Sequence, residues 1–214
     1  MREEAASSLR PPLADFGGIR SASSGVTLQP CLLDTPIVYL ARDEIPAALC
    51  AFWNTYALLI YPDTQCFAEW APGFGRGGSP VYKTSDESRF IMWLRQLLIW
   101  ENGDQLWFGR AVPREWLEDG KTIRIERAPT PFGAAGLAIR SEVNKGRIYA
   151  TVCLPTRSPP SQVWLRIRHP QGRRLRRVLI NGRSVEPERI VGPDIRLAPG
   201  LTDLSSAVEI QAEY

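Results

Sequence analysis

Apolar positions recur at three- and four-residue spacing in the first half of the chain and at two-residue spacing in the second, so helices are expected before sheet. Asp34-Thr35-Pro36 places a capping residue and a proline before the short run Ile37-Val38-Tyr39-Leu40, where order is expected to start. From the N-cap candidate Asp43, residues Ile45, Leu49, Phe52, Trp53, Tyr56, Leu59 and Ile60 line one helix face until Pro62 stops it. Thr84-Ser85-Asp86-Glu87 reads as a capping box, in which the Thr84 hydroxyl and the Glu87 carboxylate satisfy each other's free backbone N–H groups. A second long helix comes next, with Phe90, Ile91, Trp93, Leu94, Leu97, Leu98 and Trp100 on its face and Asn102-Gly103 as its C-terminal signal.

The period changes between Ala111 and Gly133. Pro113 suits the first turn of a short helix whose apolar face is Trp116 and Leu117, and Asp119-Gly120 ends it. From Lys121 the chain alternates, with Ile123 and Ile125 on one face and Thr122, Arg124 and Glu126 on the other. The alternation continues through Leu137 and Ile139, then Ile148, Ala150, Val152 and Leu154, then Val163, Leu165 and Ile167. Val178 and Ile180 precede Asn181-Gly182, the strongest short hairpin signal, and Ile195, Leu197, Val208, Ile210, Ala212 and Tyr214 complete the series. The expected fold is therefore α+β in two parts, N-terminal helical hairpins followed by an antiparallel β-sandwich of about seven strands. Residues 1–33, rich in Ser, Gly and Pro, are expected to form a poorly ordered lead-in, with the helices over 34–110 and the sandwich over 111–214. The helix faces, with Phe52, Trp53, Trp93 and Trp100, are too wide for a two-helix hairpin to bury, so the β half of this chain, a second copy or a missing helical domain is expected to cover them.

Composition narrows the function. The chain has 214 residues, 44% hydrophobic and 23% charged, and a formal net charge of +3, which implies no strongly basic or acidic partner. Cys31, Cys50, Cys66 and Cys153 lie far apart and the chain has one histidine, so neither a zinc site nor another metal or cofactor is expected. Reduced, mostly buried thiols in a cytoplasmic protein are the simplest reading; residues Met1–Arg10 lack the apolar core of a signal peptide and no run reaches membrane-spanning length.

Three stretches invite chemistry. The basic cluster Arg166, Arg168, His169, Arg173, Arg174, Arg176, Arg177 and Arg183 has the composition of a phosphate footprint, but alternation puts Arg166 and Arg168 on the outer side of their strand. A solvated arginine face, without nucleic-acid binding, is the expectation, and His169 before Pro170-Gln171-Gly172 is a turn residue. Gly73-Phe74-Gly75-Arg76-Gly77-Gly78 lacks the ending of a phosphate loop and reads as a flexible connection. Glu69, between the long helices and beside Phe67 and Trp70, combines a carboxylate with aromatic rings, as glycoside hydrolysis requires: the rings stack on sugar faces while the carboxylate acts as acid or base.

From about Leu33 to Tyr214 the chain resembles bacterial glycoside hydrolases of the six-hairpin, (α/α)6-barrel superfamily, close to α-L-rhamnosidases. The resemblance rests on TPIVYLARDEIPAALCAFWNTYALLIYPDT, KTSDESRFIMWLRQLLIWENGDQLWFGRAVPREWLEDGKTIRI, APTPFG and LRIRHPQGRRLRRVLINGR. It implies the last hairpins of a helical barrel, then a C-terminal sandwich, and a carbohydrate substrate. It also implies that Glu69, in Asp63-Thr64-Gln65-Cys66-Phe67-Ala68-Glu69-Trp70, is the catalytic base, with Phe67 and Trp70 binding substrate. Tyr82 stands where relatives tend to carry a histidine. A barrel of about twelve helices, each roughly 10 to 14 residues long, exceeds this length. The expectation is a C-terminal piece of a hydrolase, inactive alone for want of the general acid, with a non-catalytic carbohydrate-binding or protein-interaction module as the alternative.

Overall fold

A computed structural model describes residues 34–61, 63–68, 84–197 and 207–214, and the backbone of the short strands β1 (Thr27–Leu28) and β2 (Trp70–Ala71). The chain forms two compact units, divided between Leu94 and Arg95. The expected lead-in lies outside the described residues except for β1, which pairs antiparallel with β2. The glycine-rich run 73–78 also lies outside them.

The first unit is helical. Helix α1 spans Thr35–Ala41, α2 Ile45–Leu59, and α3 begins at Thr84 and runs to Leu98. These helices match the spacing of the apolar positions, but several capping roles differ. Asp34 precedes α1 without capping it: its Oδ1 accepts from Trp93 Nε1 at 3.1 Å and pairs with Arg89 at 3.4 Å. Asp43 adopts φ +61 between α1 and α2, and Glu44 takes the N-cap position of α2. Glu87 does not close a capping box, because its Oε1 accepts the Phe67 backbone N–H at 2.9 Å and ties α3 to the segment before β2. Of the four aromatic residues expected on wide helix faces, Phe52, Trp93 and Trp100 are buried and Trp53 is exposed. Among the described residues of this unit, Val38, Ile91 and Met92 are the other large exposed apolar side chains.

The second unit is a sandwich of two sheets. The five-stranded sheet contains β3 (Ile99–Asn102), β4 (Gln105–Phe108), β8 (Gln162–Arg166), β11 (Ile190–Val191) and β12 (Asp194–Leu197), in the order β11-β12-β8-β4-β3. The six-stranded sheet contains β5 (Thr122–Thr130), β6 (Gly133–Glu142), β7 (Arg147–Cys153), β9 (Arg177–Ile180), β10 (Arg183–Ser184) and β13 (Ala207–Glu213), in the order β10-β9-β13-β7-β6-β5. Every strand expected after Lys121 is present, and Asn181-Gly182, with φ +48 and +75, makes the tight β9–β10 turn that needs two left-handed residues. The inward positions of both sheets form one core, with Leu106, Phe108 and Leu165 from one sheet and Leu137, Ile148, Val208 and Ile210 from the other.

The change from helix to strand comes at Ile99, earlier than the period change suggested. Trp100 lies in β3, and Asn102-Gly103 leads into a hairpin turn rather than capping a helix. The last carbonyls of α3 are satisfied by the backbone just past the hairpin: Gly109 N–H donates to Leu98 O at 2.7 Å and Ala111 N–H to Leu97 O at 3.0 Å. The sandwich is also not wholly antiparallel. β4 and β8 run parallel, in the register Leu106↔Val163 and Phe108↔Leu165, because three strands of the other sheet separate them in the chain.

Gly109 sits where this packing is tightest. Its φ is +66, and a Cβ there would lie 2.6 Å from the Arg166 carbonyl oxygen, a backbone atom that cannot move aside alone. Gly109→Ala is expected to cost at least about 1–3 kcal/mol from the left-handed backbone alone. A urea-unfolding midpoint equal to wild type would show that the two backbones approach each other less closely.

Candidate functional site

The second unit offers three surfaces. On the outer face of the five-stranded sheet, Trp100, Trp107, Trp164 and Arg196 stand in one cross-strand row. Two Gln-x-Trp segments lie side by side here: Gln105 Oε1 accepts from Trp107 Nε1 at 3.3 Å, and Gln162 Oε1 accepts from Trp164 Nε1 at 3.1 Å. Such a row resembles a sugar platform in composition but not in geometry. Trp107 stacks on Trp164 at 5.1 Å with 11° between the planes, and the Arg110 guanidinium lies 4.4 Å from the centres of both Trp100 and Trp107. The ring faces that would stack on a sugar are spent on one another and on arginine.

A groove of about 520 Å³ crosses the outer face of the six-stranded sheet over Ala138. Its two arginines are already matched, Arg124 with Glu126 and Arg140 with Glu142, and Arg140 also covers the Tyr149 ring at 4.8 Å. Neither surface leaves much for a ligand to satisfy.

The third surface is a cleft of about 460 Å³ where three connections of the sandwich converge. The first is the 3₁₀ turn Arg114–Leu117 with Glu118 and Asp119; Leu117 is buried in the core, which fixes the turn and leaves Arg114 and Glu115 at the cleft. The second is the 3₁₀ turn Val143–Lys145, held to the first because Asp119 Oδ1 accepts the Asn144 backbone N–H at 2.9 Å. The third runs from His169 to Arg173.

His169 organises that third connection. Its carbonyl accepts the Gly172 N–H at 3.0 Å, confirming the turn, and also accepts from Arg114 Nη1. Its ring is 3% exposed and packs edge-on against Tyr214 at 4.8 Å. The Tyr214 hydroxyl donates to Ile167 O at 3.2 Å, and burial pushes its pKa up. Since His169 Nδ1 accepts the Gln171 backbone N–H at 3.0 Å, the proton of the neutral ring resides on Nε2, which is buried and has no hydrogen-bond partner among the described residues.

Burial, and then the charges of Arg173 and Arg114, hold the His169 pKa below its usual 6.5. The folded protein therefore binds this proton less readily than the unfolded chain. Stability from this group is fully present above pH 6.5 and falls as the pH drops from 6.5 toward the lower folded value. His169→Asn, which keeps an acceptor but cannot titrate there, is expected to flatten the urea-midpoint profile below pH 6.5. Parallel profiles for the two proteins would contradict this.

The cleft is bipolar. Glu115, Glu118 and Asp119 supply oxygen acceptors, and Arg114, Arg173 and Asn144 bring guanidinium and amide donors. Among the described residues no group of three or more His, Cys, Asp or Glu side chains is placed to hold a metal ion. Glu115 and Glu118 are exposed, while Asp119 Oδ1 is engaged by the Asn144 N–H.

The residues singled out in the sequence lie elsewhere. Glu69 lies outside the described residues, and of Trp70 only the backbone, paired with Leu28, is described. Phe67 is buried with Leu59 and Ala68, against Phe90 at 4.9 Å and Tyr56 at 6.0 Å, so its ring serves packing in the helical unit. The basic cluster is divided. Arg166 is 6% exposed and bound by two hydrogen bonds to Asp194, at 2.5 and 2.8 Å, and Arg168 donates to Val112 O; neither belongs to a solvated face, while Arg173, Arg174, Arg176, Arg177 and Arg183 are exposed. Nor are the described thiols mostly buried: Cys50 and Cys153 are exposed and Cys66 is half-buried, all free, while Cys31 lies outside the described residues. Among the described residues no helix is long and apolar enough to cross a membrane. No protein-family model matches the chain, and no curated protein matches it.

Proposed function

We propose that the sandwich is a non-catalytic, sugar-binding part of a carbohydrate-active hydrolase of the six-hairpin type, in which the three helices belong to the end of the helical barrel. The bipolar cleft carries this reading. A sugar hydroxyl is donor and acceptor at once, so a site that binds several needs carboxylates and guanidinium or amide groups together, as Glu115, Glu118, Arg114 and Asn144 line this cleft together. The resemblance to six-hairpin hydrolases supplies the substrate class, and the order of helices before sheets agrees with it. Exposed free thiols at Cys50 and Cys153 fit a reducing, cytoplasmic setting.

In this reading the chain binds sugar weakly, with a Kd on the order of 1 mM, and turns over no glycoside by itself. Calorimetric titration of the intact chain with L-rhamnose, D-glucose, D-galactose and their uronic acids tests it. Glu115→Ala with Glu118→Ala removes two exposed acceptors without touching the core, and is expected to weaken binding about tenfold. Unchanged affinity in the double variant would place the sugar elsewhere.

A further inference from the structure

We propose that the sugar bound in this cleft is acidic, a uronic-acid residue whose carboxylate is taken by Arg114 and Arg173 beside His169. The inference rests on the sugar-binding reading and goes further by naming the chemical class. The walls are unequal in what they lack. Among the described residues neither Arg114 nor Arg173 is ion-paired to a carboxylate, although three carboxylates line the same cleft. Arg114 is half-buried, and its one hydrogen bond goes to a backbone carbonyl, that of His169. A partly desolvated guanidinium without a counter-charge is a costly arrangement, and a bound carboxylate relieves it.

His169 sharpens the preference. It is almost wholly buried, lines the cleft, and carries an Nε2–H that no acceptor claims among the described residues. This corner therefore holds two cations, Arg114 and Arg173, over a neutral ring that brings no negative charge of its own. Glu115 and Glu118, which also line the cleft, repel an anion but accept from hydroxyls. A ligand that satisfies both walls has its carboxylate at one end and hydroxyls at the other, as a hexuronate does. A neutral hexose leaves the arginine corner unmatched, and a simple carboxylate leaves the acidic wall unmatched.

The test compares D-glucuronate and D-galacturonate with D-glucose, D-galactose and acetate, titrated into the intact chain at neutral pH. At least one uronate is expected to bind about tenfold or more tightly than its neutral counterpart, because a charge-assisted hydrogen bond replaces a neutral one. Arg173 is exposed, so Arg173→Ala should fold normally and weaken that uronate about tenfold, more than it weakens the neutral sugar. Arg173→Lys should restore part of the difference. Equal binding of uronates and neutral sugars overturns the acidic assignment while the sugar-binding reading stands. Acetate as tight as the uronates also overturns it, marking a plain anion site. If no sugar of either kind binds, both readings fall together.

Discussion

Phe108→Ala is expected to lower the stability of the sandwich by about 3–5 kcal/mol, the largest single loss foreseen for this chain. Phe108 lies on β4, fully buried, and its ladder partners are Ile99 on β3 and Leu165 on β8, both also fully buried. It sits where an antiparallel pair and a parallel pair share one strand, so the neighbours that would have to relax into the void are held on both sides. The cost therefore includes the cavity as well as the lost transfer free energy. Urea unfolding with an unchanged slope reads the difference directly. A loss under about 1 kcal/mol would mean that the two sheets close on the vacancy, contrary to a core held by its register.

Asp194→Ala should cost about as much, roughly 3–5 kcal/mol, by a different mechanism. Asp194 faces Arg166 across β12 and β8 and accepts two hydrogen bonds from it, and both side chains are largely buried. Removing the carboxylate leaves a guanidinium in a place that water scarcely reaches, under Trp107 at 5.7 Å. Replacing both partners with apolar residues, Arg166→Met with Asp194→Leu, is expected to lose far less, since no charge is then stranded. Equal losses in the single and double variants would show that Arg166 contributes through its stem and other contacts rather than through this pair.

How far these features are legible in the sequence depends on how local their causes are. The helical face from Ile45 to Leu59, the alternation of Ile123 and Ile125 and the Asn181-Gly182 turn each depend on a few neighbouring residues, and all three appear in the structure. Ile99-Trp100 reads as helix because Leu97, Leu98 and Trp100 keep a helical spacing. A β-branched residue and an aromatic fit a strand equally well, and the pairing with β4 decides between them. Arg166 does point away from the core, as its parity says, yet Asp194, 28 residues later, buries its charge. No local rule carries that information.

The cleft is the least legible feature. Arg114 and Asp119 precede β5, Asn144 separates β6 from β7, and His169 with Arg173 comes after β8, so only the sheet topology brings them together. The available signal is that Pro113-Arg114-Glu115-Trp116-Leu117-Glu118-Asp119 interleaves charges with two core anchors in a short turn. Such a turn holds its charged residues firmly at the surface, where a flexible loop does not. Glu69, by contrast, stands out through composition beside Phe67, whose ring the structure commits to packing.

Sugar binding in the cleft is open to one direct measurement, an amide NMR titration of the intact chain with the sugar that binds best in calorimetry. Shifts are expected to be confined to residues 114–119, 143–144 and 168–173, saturating together with one affinity. Shifts centred instead on Ala138 and Tyr149, on the Trp107–Trp164 row, or on the helical unit would contradict a sugar site at the cleft.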